Sequence, residues 1–136
     1  MNLAFAMLAD AATVAAGKLY VHGGGWCILA VHTLPVVYPS FALAFMLELD
    51  ESDVTRTFPL SVDLVDSSGA ELGISASAQV GVVEPSGLTV GFRRVAEQVT
   101  FVGVPFETQG RYGLRISSGG KKLGQVDLDV VLDPRP

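Results

Sequence analysis

Apolar and polar residues alternate with a period of two along much of the chain. The clearest cases are residues 58–65, 74–82, 111–117 and 125–132, where every second side chain is apolar. A period of two separates side chains onto the two faces of a β-strand, whereas an amphipathic helix repeats every three to four residues. One apolar face and one solvent-exposed polar face are typical of antiparallel sheets. The pattern therefore predicts an all-β protein.

Short segments rich in glycine, proline and serine separate the alternating runs. Residues 66–69, 84–87 and 117–120 carry the residue types that favour tight turns. The last of these segments joins two alternating runs and predicts a hairpin, with a bulge near Gly124. Strands punctuated in this way are typical of a sandwich or a barrel.

The length of 136 residues fits one domain, and no internal repeat or linker interrupts it. We therefore expect residues 1–136 to form a single two-sheet antiparallel β-sandwich, of immunoglobulin-like or Greek-key type, with eight or nine strands. Helical structure is expected at most in one short segment near residues 10–16.

Two of the predicted strands carry apolar residues on both faces. They are residues 3–9 and residues 41–49, and in the second the alanines and Met46 make the other face apolar as well. Such a strand is either central and covered or part of an interface, and a large apolar patch usually marks a partner. We expect an interface here, most simply with a second copy of the chain, through Phe41, Leu43, Phe45 and Met46.

Charge narrows the choice of partner. The formal net charge is −5 and the isoelectric point is near 4.8, which argues against a nucleic-acid binder. Seven of the nine basic residues follow residue 92. Arg115 and Lys121 lie on opposite arms of the predicted hairpin, so they belong either to a basic docking patch or to a solvated edge whose charges discourage strand pairing.

The string His22-Gly23-Gly24-Gly25-Trp26 is similar to the oxyanion-hole segment of α/β-hydrolase esterases. That chemistry needs a G-x-S-x-G serine followed by an acid and then a histidine. Here both histidines, His22 and His32, precede the first serine, Ser40, so the order cannot occur. A glycine turn that leads Trp26 onto the core explains the string equally well. His22, Gly24 and Trp26 are kept as candidate ligand-binding residues only.

No other set of catalytic groups can be completed. Cys27 and His32 are separated by apolar residues, without the electropositive setting that a nucleophilic thiol needs. We expect no catalytic residue, no cofactor and no enzymatic activity.

An acidic cluster follows the strand at residues 41–49. Glu48, Asp50, Glu51 and Asp53 supply the oxygen ligands that Ca²⁺ prefers, although the spacing and the glycine of an EF-hand are missing. A solvated turn explains the same residues. The alternative function is therefore a β-sandwich that binds a small ligand or Ca²⁺, using this acidic end and the glycine loop at residues 23–26.

Nothing in the sequence predicts export or membrane insertion. No apolar run approaches the roughly 20 residues of a membrane span. No basic residue precedes the apolar stretch at the start of the chain, and Asp10 interrupts it. The single cysteine excludes an internal disulfide and fits a reducing compartment. We expect a cytoplasmic protein that contacts neither membrane nor nucleic acid.

The last third of the chain, residues 104–132, resembles the final hairpin of immunoglobulin-like domains. Gln109-Gly110-Arg111-Tyr112 resembles the turn that introduces a late strand, where a tyrosine hydroxyl bonds to nearby backbone. The cysteine pair of antibody domains is missing, so the resemblance implies only the architecture.

The start of the chain is similar to a family of small uncharacterised bacterial proteins that are frequent in actinobacteria. The likeness rests on Leu8-Ala9-Asp10, on Gly17-Lys18-Leu19 and on the glycines before Trp26, that is, an LAD…GKLxVxGGxW start. A middle strand flanked by Pro35 and Pro39 and a late glycine–tyrosine strand complete it. The resemblance implies the fold and carries no activity.

Overall fold

The computed structural model describes residues 1–50, 53, 57–81, 92–133 and 135. Within them the chain forms nine strands and no helix. The turn predicted at residues 84–87 and the acidic Glu51 lie outside the described residues. The strands are β1 (Asn2–Ala15), β2 (Lys18–Trp26), β3 (Ile28–Val31), β4 (Val36–Asp50), β5 (Thr57–Val65), β6 (Glu71–Gly81), β7 (Phe92–Phe106), β8 (Gly110–Ser118) and β9 (Lys121–Leu132).

The strands form two sheets, which confirms the predicted sandwich. The first sheet has the order β2-β1-β4-β7 and the second has the order β3-β9-β8-β5-β6. One part of the prediction is wrong, because β3 runs parallel to β9 while the other pairs are antiparallel. The chain crosses from the first sheet to the second at Cys27, and it then continues alongside β9 in the same direction.

The helical segment expected near residues 10–16 is a strand. β1 continues to Ala15 and pairs with β2 from Ala11, opposite His22, to Ala15, opposite Lys18. Ala16 and Gly17 make the turn with positive φ angles of 51° and 73°. Pairing with β2 satisfies the backbone of this alanine-rich segment, and that tertiary interaction outweighs the helix preference of alanine.

The predicted hairpin of β8 and β9 is confirmed, together with its bulge. Ile116 pairs with Gly124 while Ser117 pairs with Lys122, so one extra residue of β9 is accommodated beside Gly124. Leu3 of the opposite sheet approaches Gly124 so closely that a Cβ at this position would overlap its side chain. Gly124 therefore lets the two sheets come together at this point.

The core lies between the sheets and takes side chains from both. Phe41, Phe45, Leu64, Leu114 and Leu128 are each at most 1% exposed. Burying a side chain of this size contributes about 1.5–3 kcal/mol. These residues follow the period of two that the sequence shows.

Tyr112 fixes the corner between β7 and β8. Its hydroxyl donates a hydrogen bond to the backbone carbonyl of Thr108 at 2.6 Å. Its ring packs edge-on against Phe106, with ring centres 5.0 Å apart. The predicted bond from this tyrosine to nearby backbone is thus confirmed.

A second, smaller apolar cluster covers the outer face of β4. Ala12 of the β1–β2 hairpin packs with Ala42 and Ala44 of β4, and Met7, Leu19 and Val21 pack against this cluster. β1 and β2 also contact β7, although neither is its neighbour in the sheet. The hairpin is therefore folded back over the sheet to which it belongs.

The glycines at residues 23–25 make this fold-back possible. Gly23 and Gly25 have φ angles of 60° and 92°, which favour glycine. A Cβ on Gly24 would lie 2.6 Å from Val21 Cγ1 and 3.0 Å from Met7 Sδ. The glycine string lies where the pairing of β2 with β1 shifts register, between Trp26 opposite Leu8 and Gly24 opposite Ala9.

Candidate interaction edge and cleft

The strand predicted to form the interface lies in the centre of the molecule. Phe41, Leu43 and Phe45 are at most 1% exposed, so the prediction that they contact a partner is wrong. Their side chains fill the core, and the folded-back hairpin covers the other face of β4. The two-sided apolar pattern therefore marks a central strand that is covered on both sides. Met46 remains half-buried on the outer face, paired with the 39% exposed Phe5.

The predicted basic patch belongs to an ion-paired, polar face. Arg115 donates a hydrogen bond to Glu71 Oε1 at 2.6 Å, and Arg111 donates one to Asp129 Oδ1 at 2.9 Å. The Asp129 contact raises the pKa of the Arg111 guanidinium, first through the hydrogen bond and then through charge. Lys121 is exposed at the start of β9. This arrangement favours the solvated alternative over a docking site for Arg115.

The candidate ligand residues lie in different surroundings. The Trp26 ring packs edge-on against Phe41, with ring centres 6.2 Å apart, and its Nε1 is buried without a hydrogen-bond partner. His22 is exposed on β2 opposite Ala11, and Gly24 lies against Met7 and Val21. The structure thus does not bring the imidazole and the indole together into one site.

The acidic cluster has partners within the protein. Glu48 accepts a hydrogen bond from Arg94 at 3.2 Å. Asp53 accepts one from the Asp50 amide at 3.2 Å and lies 3.1 Å from the amino group of Met1. Across the residues with described positions, no three His, Cys, Asp or Glu side chains converge as metal ligands would. These contacts favour the interpretation as a turn.

β6 is an edge strand, and no other described strand pairs with its outer side. It forms the end of the second sheet and pairs with β5. From Leu72 to Gly81 the strand has no charged residue and no proline, and most of its residues are exposed. Proteins usually protect a long edge with charges, proline or a bulge, because its unpaired backbone groups attract another strand. β6 has an irregularity at its start, where the register against β5 shifts near Gly73, but from Ser75 to Gly81 it carries no charge, proline or register shift.

β7 is the edge of the other sheet on the same side of the sandwich, and it is protected. Glu97 lies directly opposite Phe45 in the β4–β7 pair, so it occupies an inward position of the edge strand. Arg94 forms its ion pair with Glu48 on the outer face of the same pair. An inward-pointing charge is one of the ways in which natural edges resist pairing.

A cleft lies between β6 and β7, where the sandwich is not filled. Its volume is about 230 Å³. The gap forms because β6 contributes alanines on its inner face, where a larger side chain would reach across to β7. The cleft is lined by Phe45, Leu60, Val62, Ala76, Ser77, Ala78, Glu97, Gln98 and Val99.

Glu97 is the one titratable side chain among these lining residues. Burial raises the pKa of its carboxyl above the ordinary value. Within the part of the chain that the structure describes, its carboxylate has neither a hydrogen bond nor an ion pair. Sequence reasoning missed it, although the signal is present: Glu97 interrupts the apolar set Val95, Val99 and Phe101 at the spacing of a strand.

A comparison with family models places the chain among known sequences. Residues 4–131 match the model described as a family of unknown function, DUF6941. The chain belongs to this family. The expectation of an uncharacterised family is thereby confirmed, and the family brings no activity with it. No curated protein matches the chain.

One solved structure is similar in part: the Pseudomonas fluorescens alkylpurine DNA glycosylase AlkC bound to DNA containing an abasic site analog. The identity is 11% and the TM-score is 0.44, over 93% of this chain and 30% of that one. The chain thus spans about a third of the glycosylase, and a likeness at this level carries no argument. In the described residues, no helix has the length and hydropathy of a membrane span. The cytoplasmic location stays a prediction.

Proposed function

We propose that this protein is a non-catalytic assembly module of immunoglobulin-like type, which pairs with a second copy of itself through the β6 edge. The observation that carries the proposal is the exposed edge of β6, uncharged from Leu72 to Gly81, beside an incompletely filled cleft. An edge of this kind adds a strand readily, because the unpaired backbone groups gain hydrogen bonds.

The sequence of β6 favours a second copy as the partner. When two β6 strands pair antiparallel about Ser77, Ala76 faces Ala78 of the other copy and Ile74 faces Val80. On the other side of the strand, Ser75 faces Gln79 and Ser77 faces itself. Each residue from 74 to 80 thus faces a residue of the same polarity in the other copy, and no two charged residues face each other. A two-fold interface requires this kind of self-complementarity.

The same pairing extends the core across the interface. Ile74, Ala76, Ala78 and Val80 are the inward residues of β6, because their β5 partners include the buried Phe58, Leu60 and Val62. Two such strands side by side create one sheet of ten strands with a continuous apolar inner surface. The clefts of the two copies then meet at the centre of the dimer.

Two features support the immunoglobulin-like type within the broader β-sandwich. The Tyr112 hydroxyl bonds to the Thr108 carbonyl at the corner that precedes β8, as in the tyrosine corner of such domains. The chain also crosses between the sheets at Cys27, so that β1 and β2 lie in the first sheet and β3 lies in the second.

Sedimentation tests the proposal. We expect the protein to sediment as a dimer at high concentration and to dissociate on dilution. Ser77→Lys places two like charges opposite each other at the two-fold axis, so this variant is expected to sediment as a monomer. Ala30→Lys, on the exposed edge strand β3 at the other end of the same sheet, is the matched control and should remain a dimer.

Two results would overturn the proposal. One is a monomeric wild-type protein at millimolar concentration. The other is a dimer that survives Ser77→Lys, which would place the contact on another surface. Circular dichroism of each variant shows whether it is folded.

A further inference from the structure

We infer that the dimer assembles with uptake of protons, because the two-fold axis brings the Glu97 carboxyls of both copies together in the apolar cleft. This inference rests on the proposed function. It adds that pH controls the dimerisation, which pairing of two uncharged strands alone would not predict.

The geometry follows from the lining of the cleft. Ser77, at the centre of the self-complementary stretch, and Glu97 border the same cleft, with Ala76 and Ala78 between the sheets beside them. A two-fold axis at Ser77 therefore passes close to Glu97 in each copy. Two carboxylates that share a small desolvated space cannot both remain ionised at low cost, so they bind a proton between them.

Among the described residues that border the cleft, no charged side chain compensates the charge of Glu97. From β4, β5 and β6 the residues that border the cleft are Phe45, Leu60, Val62, Ala76, Ser77 and Ala78, and none of them titrates. On the inward face of β7, the charged residue nearest to Glu97 is Arg93, which pairs with Leu49. Val95 lies between Arg93 and Glu97 on this face. Gln98 and Val99 complete the lining from β7.

The direction of the effect follows from linkage. Glu97 binds protons more tightly in the cleft than in water, and a second carboxylate strengthens this preference. The dimer therefore holds more protons than two monomers, so association tightens as the pH falls toward the ordinary pKa of a glutamate. Each proton taken up changes the dissociation constant by about tenfold per pH unit.

The test is the dimer dissociation constant measured by sedimentation between about pH 5 and about pH 8, the range above the ordinary glutamate pKa. For the wild-type protein we expect a decrease of up to about tenfold per pH unit on acidification. Glu97→Gln keeps the shape of the side chain without its charge, so its constant should be low and independent of pH. Glu107→Gln removes one charge from an exposed position at the end of β7 and should behave as the wild type does.

The outcomes separate this inference from the proposed function. A dimer whose pH dependence is the same in the wild type and in Glu97→Gln overturns the inference and leaves the β6 interface in place. If wild type and Glu97→Gln are monomers at every pH, the β6 interface is wrong, and the inference fails with it. A pH-dependent dimer that Ser77→Lys does not dissociate contradicts both.

Discussion

The sequences of β4 and β6 suggest the opposite of the positions that the two strands occupy in the fold. β4 is apolar on both faces and looks like a binding surface, yet its inner residues are at most 1% exposed and its outer alanines lie under the β1–β2 hairpin. β6 alternates in the ordinary way and looks like any half-buried strand, yet it forms an exposed edge without charges from Leu72 to Gly81. Two-sided apolarity marks a covered strand here, and the strand that is open to a partner is recognised by the lack of protecting residues.

The largest expected effect belongs to the inner face of β4. Leu43 is fully buried, so Leu43→Ala leaves a cavity and should lower the free energy of unfolding by about 2–5 kcal/mol. Urea denaturation measures this loss. The dimer dissociation constant should hardly change in conditions where the variant is folded, because Leu43 does not border the cleft at the proposed interface. A stable Leu43→Ala variant that fails to dimerise would contradict the assignment.

The outer face of β4 distinguishes a covered surface from a docking surface. Ala44 is fully buried beneath the hairpin, so Ala44→Leu forces the hairpin outward and should cost about 1–3 kcal/mol. Thermal denaturation checks this. If this face were free for a partner, the larger side chain would be tolerated without loss and would strengthen association.

β6 should show the opposite behaviour. Ser77 is exposed, so Ser77→Lys should change the free energy of unfolding by about 0.5 kcal/mol or less while it abolishes the dimer. Denaturation at a concentration where the wild type is monomeric isolates the first effect, since association itself adds apparent stability. A large loss of stability in the monomer would mean that β6 is an internal part of the fold rather than a free edge.

The smallest effect concerns Glu97. Burial raises its pKa in the folded protein, so its ionised form lowers stability, and the penalty appears as the pH rises through the raised pKa. Glu97→Gln should therefore raise the melting temperature slightly at neutral pH and not at acidic pH, where the wild-type carboxyl is already protonated. Calorimetry at the two pH values measures the difference. An equal shift at both would show that the effect of the substitution is not electrostatic.

The sequence was sufficient for the architecture but not for the position of each strand. Alternation in β5, β8 and β9 and the residues of the β8–β9 turn predicted the sandwich and its late hairpin, because both depend on neighbours along the chain. The Tyr112 bond was implied by the resemblance to immunoglobulin-like domains. The fold-back of the β1–β2 hairpin depends on contact between Ala12 and the distant Ala42 and Ala44. No local pattern contains that contact, so the sequence alone predicts an interface where β4 is in fact covered.

The cleft beside Glu97 likewise could not be predicted from the sequence. The inward position of Glu97 could be recognised from its spacing with Val95 and Val99, but its environment could not. The cleft depends on β6 and β7 lying on the same side of two different sheets, which is a property of the strand order. His22, Gly24 and Trp26 are two residues apart, as on one face of a regular strand, yet the positive φ angles of Gly23 and Gly25 and the register shift opposite them place His22 and Trp26 in different surroundings.

Cysteine cross-linking tests the β6 interface most directly. In a Cys27→Ser background, Ser77→Cys places two thiols opposite each other at the proposed axis, whereas Ser75→Cys leaves its pair about 13 Å apart along the strands. Under mild oxidation we predict a covalent dimer for Ser77→Cys and none for Ser75→Cys. Equal cross-linking of the two variants, or of neither at concentrations where the protein is dimeric, would contradict the account.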